Sequence, residues 1–154
     1  MKLRTFLNKN PYWVESFIVD IYNSQHEQHL KPLSMSWLTI VETPEFLRVS
    51  EKFCERDVID EMIEAISQNP EIGDIVPNTG GCRKLRWQRT KNSGKSGGMR
   101  TIYYFYDSSM PIYLLLTYPK SVADNIDNET ENALKRIVKQ MVKNHKSDQL
   151  RGKI

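Results

Sequence analysis

Apolar residues recur at helical spacing in four stretches of the chain and follow strand-like patterns in four others. The first helical stretch is "NPYWVESFIVDIYNS", with Trp13, Val14, Phe17, Ile18 and Ile21 on one face, Asn10 as cap and Pro11 at the first helical position. The polar run "QHEQHLKPLS" follows it. "SWLTIV" (36–41) then reads as the first strand. Thr43-Pro44 supplies an N-cap and a first-turn proline for a helix through Phe46, Leu47, Val49, Phe53 and Cys54. A further helix runs through Val58, Ile59, Met62, Ile63 and Ile66, and Asn69-Pro70 stops it. "GDIVPNTGG" has no helical period and reads as a loop.

Three strands are expected next, at 83–88, 99–106 and 112–118, with a turn at "DSSMP" before the last. Their short connections imply antiparallel neighbours. Asn128 to Glu131 spells a capping box ahead of a long helix that turns Leu134, Ile137, Val138, Met141 and Val142 inward. The other face of that helix is basic: Lys135, Arg136, Lys139, Lys143 and Lys146. Helices on a small antiparallel sheet make an α+β domain over residues 35–154. Residues 1–34 form an N-terminal extension of one amphipathic helix and a linker.

Composition narrows the class. A chain of 154 residues, 39% hydrophobic and 27% charged, is of globular type and long enough for a real core. No apolar run reaches membrane-spanning length and no signal-peptide core is evident, so a cytoplasmic setting without membrane contact is expected. Cys54 and Cys82 make neither a metal spacing nor a disulfide framework. His26 and His29 stand in an H-x-x-H pair without an identifiable third ligand. No metal and no cofactor is expected.

Charge changes the picture more. The net charge is only +3, yet Gly80 to Arg100, "GGCRKLRWQRTKNSGKSGGMR", holds seven basic residues, five glycines and no acid. Strand alternation puts Leu85 and Trp87 inward and Lys84 and Arg86 together on the opposite face, within reach of Arg100 on the next strand. Lys91 and Lys95 lie on the glycine loop. So much unopposed charge in one segment fits a polyanion, gripped by Arg through paired hydrogen bonds. "SGKSGG" is not a nucleotide loop, because Arg89 stands where that pattern requires glycine and no helix follows. Without a histidine in the segment, a two-histidine nuclease and a Ser-His-Asp hydrolase are both disfavoured.

"NPEIGDIVPNTGGCRKLRW", "GKSGGMRTIYYFYD" and "IYLLLTYPKS" together resemble the HigB branch of the RelE/ParE toxin superfamily, over about residues 37–141. The resemblance implies a RelE-like ribonuclease fold. It also implies a toxin of a type II toxin–antitoxin pair, held by a HigA-like helix-turn-helix antitoxin. Its expected activity is endonucleolytic cleavage of mRNA in the ribosomal A site, carried by a basic cluster rather than a histidine pair. Transferred onto this chain, the catalytic candidates are Lys84, Arg86, Arg100, Lys120 and Tyr118; Arg83, Arg89, Lys91 and Lys95 are the RNA-binding candidates. The chain departs from the family pattern at Pro119-Lys120-Ser121, where a small residue usually precedes the Lys and Asn-Glu often follows it. A gyrase poison of ParE type and a catalytically inactive nucleic-acid-binding module are the alternatives of the same fold.

Overall fold

The computed structural model of the protein describes residues 38–92 and 97–152, so the amphipathic helix of the extension, His26, His29 and Lys95 lie outside the described residues. Strands β1 (Ile40–Glu42), β2 (Asp74–Ile75), β3 (Arg83–Trp87), β4 (Met99–Tyr104) and β5 (Ile112–Pro119) form one sheet in the order β1-β5-β4-β3-β2. Helices α1 (Pro44–Phe53) and α2 (Arg56–Gln68) follow β1, and α3 (Asn128–Arg151) follows β5. The chain is α+β, as its pattern predicts.

Period-two alternation along the strands divides the core into two layers. Leu85, Tyr103, Ile112 and Leu114 pack with Phe46 of α1 and with Ile59, Met62 and Ile66 of α2. Ile102, Tyr104, Tyr113, Leu116 and Tyr118 pack with Leu134, Ile137, Val138 and Met141 of α3. A register irregularity at Ile102/Tyr103 pairs Ile102 with Leu116 and Tyr103 with Leu114, leaving Leu115 as the extra residue. Leu115 and Leu116 therefore both join the α3 layer. Thr43 anchors α1 at this irregularity. Its Oγ1 donates to the carbonyls of Leu114 (2.7 Å) and Leu115 (3.1 Å) and accepts from the Phe46 N–H (3.4 Å).

Four details depart from the sequence reading. The sheet is mixed rather than purely antiparallel, since β1 pairs parallel to β5. β1 lies later than the expected 36–41, ending where Thr43 turns to cap α1. The expected loop at 73–81 contains β2, which pairs antiparallel with β3. It is drawn there by the Arg83 guanidinium, which donates to Glu71 O and Gly73 O, and by Gly73 N–H donating to Tyr103 Oη at 2.9 Å. The cap of α3 is Asp127, whose Oδ1 accepts from Thr130 N–H at 2.8 Å, and not Asn128. Among the described residues no helix is long and apolar enough to cross a membrane.

Candidate active site

The register of three strands builds the site. Arg86 of β3 faces Arg100 of β4, and Arg100 faces Tyr118 of β5, so these side chains form one row on the α3 side of the sheet. The next row on that face is Lys84, Ile102 and Leu116. The apolar pair in it is buried under α3. Lys84 and Arg100 are partly exposed and Arg86 is exposed, so the basic strip begins where the helix ceases to cover the sheet. The structure thus brings together Lys84, Arg86, Arg100 and Tyr118. Leu85 and Trp87 go to the other face, as alternation predicts.

Arg86 opposite Arg100 is an unfavourable cross-strand pair, because like charges facing each other destabilise a sheet. Part of that repulsion is offset from the loop between β5 and α3. Asp124 Oδ1 lies 3.0 Å from Arg100 Nη2, and Asn125 Oδ1 accepts from Lys84 Nζ at 3.0 Å. The Arg100 side chain is only 13% exposed, whereas Asp124 is 74% exposed. Two polar atoms here are buried without a hydrogen-bond partner among the described residues: Arg100 Nε and the Tyr118 hydroxyl. Burial pushes the Tyr118 hydroxyl up to about 12, against a smaller opposing pull from Arg100. It is a proton donor at any physiological pH.

Lys120 lies two residues beyond Tyr118, partly exposed, with its N–H donating to Gly98 O at 3.0 Å. That bond ties the end of β5 to the residue before β4. Gly98 is close-packed, since a Cβ there would meet Trp87 O at 2.9 Å. The absence of a side chain therefore lets Gly98 lie close against β3.

Arg83, Arg89 and Lys91 are placed elsewhere. Arg83 belongs to the opposite face, opposite Tyr103, and is tied to Glu71 Oε2 at 3.0 Å. Lys91 Nζ reaches Asp57 Oδ2 of α2 at 3.3 Å. Arg89 is close enough to the half-buried Cys54 thiol to draw it down, though burial dominates and lifts that thiol to about 11. The expectation of unopposed charge across the segment is corrected here, because Arg83, Lys91 and Arg100 each have a carboxylate from elsewhere in the chain. The sequence reading passed over Asp124 and Asn125. Their only signal was the first of two acid–amide pairs, Asp124-Asn125 and Asp127-Asn128, leading into α3.

Far along the sheet, Ser109 Oγ lies 3.0 Å from His145 Nε2 and donates to Asp107 Oδ1 at 2.5 Å. The carboxylate holds the serine rather than the imidazole, which is not the order of a nucleophilic triad. A family model described as "RelE toxin of RelE / RelB toxin-antitoxin system" matches residues 40–153 of the chain.

Proposed function

The chain belongs to the RelE family of toxins of toxin–antitoxin systems, and on that premise we propose that it is a ribosome-dependent mRNA endonuclease of HigB-like type. It would cut mRNA in the ribosomal A site and so inhibit translation. The observation that carries this reading is the row Arg86–Arg100–Tyr118 with Lys84 behind it. Arginines set opposite one another weaken the sheet, and an incoming phosphate would turn that repulsion into attraction.

The chemistry proposed is attack of an RNA 2′-hydroxyl on its own 3′-phosphate. The O2′–P bond forms, the P–O5′ bond breaks, and the products are a 2′,3′-cyclic phosphate and a free 5′-hydroxyl. One proton must leave O2′, another must reach O5′, and the extra negative charge on the phosphorane must be stabilised between those events. Lys84 is the proposed proton acceptor. Arg86 and Arg100 stabilise the phosphorane. The proton for O5′ comes from Tyr118 or Lys120; Tyr118 is the more firmly held and Lys120 the more accessible. For Tyr118 to touch RNA, the surface about the Arg100–Asp124 pair must open, because its hydroxyl is sealed from solvent. Arg89, Lys91 and Lys95 would contribute to RNA binding from the loop side.

The family implies a partner antitoxin that keeps the protein silent, and a HigA-like helix-turn-helix protein is the one proposed. Purified protein added to ribosomes programmed with a defined mRNA tests the activity. Cleavage is expected only with ribosomes present and only where the attacking nucleotide carries a 2′-hydroxyl. Cleavage of a 2′-deoxy-substituted message, or gyrase-dependent DNA breakage with the mRNA intact, would overturn this reading.

A further inference from the structure

Helix α3 buries Ala133, Leu134, Ile137, Val138 and Met141 against the sheet. Its solvent side carries Lys135, Arg136, Lys139, Lys143 and Lys146, all exposed. At the angular step of an α-helix these five fall within an arc of about 100° and extend along about 16 Å of the axis. No aspartate or glutamate occurs from Asn132 to Ser147. Among the described residues none of the five forms a salt bridge, and Asp107 is the acid near enough to feel the charge of one of them, Lys146. Glu131, one turn before Lys135, is instead in contact with Asn78 at 3.4 Å. Lys146 is steadied over the Tyr106 ring at 5.6 Å.

This arrangement works against the helix that bears it. Lys135/Lys139, Lys139/Lys143, Arg136/Lys139 and Lys143/Lys146 are like-charge neighbours, each costing a few tenths of a kcal/mol. An ordinary solvated face would alternate signs and gain by similar amounts. Four of the five are lysines, compact point charges suited to phosphates rather than to planar, base-specific pairing. They recur about every turn, about 5.4 Å, over a length that matches several base-pair steps of a duplex.

We propose that this stripe is a docking surface for the phosphate backbone of duplex RNA, separate from the strip on β3, β4 and β5. The deep major groove of such a duplex is too narrow to admit a helix, so α3 lies across the backbone and contacts phosphates without reading sequence. The proposal stands on α3 alone and holds whether or not the strip cleaves RNA.

Binding of the full-length protein to a short blunt-ended RNA duplex, followed by fluorescence anisotropy at several salt concentrations, tests it. Lys139→Gln and Lys143→Gln should each lower the slope of log affinity against log salt by about one. Together they should weaken binding about tenfold or more near 0.1 M salt. Glutamine is a good helix former and the substitutions remove like-charge pairs, so the melting temperature should hold or rise. Lys52→Gln, on α1 across the sheet, is the control for net charge and should leave the slope unchanged. An unchanged slope in both stripe variants would overturn the proposal. So would a loss no larger than that of Lys52→Gln, or a larger loss toward a polyglutamate peptide than toward the duplex. Because no cleavage is read, failure of the nuclease reading would leave this result intact.

Discussion

Arg100 and Tyr118 show how one register position can serve two ends. Arg100 is nearly buried, faces another arginine, and draws its one described charge partner from an exposed loop carboxylate. A pair so exposed on one side is worth at most about 1 kcal/mol, so it leaves the guanidinium available to a stronger anion. Tyr118 buries a hydroxyl with no partner among the described residues. An unmatched buried hydroxyl costs about 1–3 kcal/mol, so Tyr118→Phe is expected to leave stability unchanged or improve it, as read by urea denaturation. If the hydroxyl protonates O5′, the same variant cleaves more slowly on ribosomes. A Tyr118→Phe protein that loses both stability and activity would point to a purely structural role. Lys84, Arg86 and Arg100 were legible in the sequence because alternation along a strand is a strict rule. Asp124 and Asn125 were not, because what a loop acid meets depends on where the sheet's register leaves the neighbouring strands.

At the scale of elements, the two central helices and three long strands follow from periodicity and punctuation. Thr43-Pro44 starts α1, Asn69-Pro70 ends α2, and β3, β4 and β5 start at the expected residues and end within two of them. What escaped reading depends on contacts distant in sequence. β2 exists because Arg83 holds the carbonyls of Glu71 and Gly73, and the irregularity at Leu115 has no local signature. Asp127 displaces Asn128 as cap although both are good caps, so the sequence alone could not rank them. Thr43 is both helix cap and tie to β5, and it is buried. Thr43→Ala should therefore destabilise the protein by about 2 kcal/mol, the upper range for a lost cap, with buried carbonyls also left short of a donor. Chemical denaturation measures this directly. A loss of a few tenths would mean that the tie between α1 and β5 carries no weight.

Across the described residues, a mixed sheet lies between two helical layers, and the basic strip begins at the end of one face that α3 does not cover. The same burial that builds the α3 layer sets the response to alkali. Tyr104, Tyr118 and Cys82 are each pushed up to about 12 by burial, from ordinary values of 10.0 for the tyrosines and 9.0 for the thiol. Each holds its proton more tightly when folded. Their contribution is therefore complete below the unfolded-state values and is lost as pH rises from about 9 toward 12. Melting temperatures should be flat near neutrality and fall steeply above about pH 10; a flat profile to pH 12 would contradict the assigned burial. The central claim is that the strip centred on Arg100 is a ribonuclease site used on the ribosome. Its most direct test compares wild-type protein with Arg100→Ala on ribosome-bound mRNA, mapping the cut ends while melting temperature confirms folding. The account predicts cleavage by the wild type and a rate lower by about 10² in the variant, the scale of one lost donor to transition-state charge. An Arg100→Ala protein that is folded and cuts as fast as the wild type would contradict it.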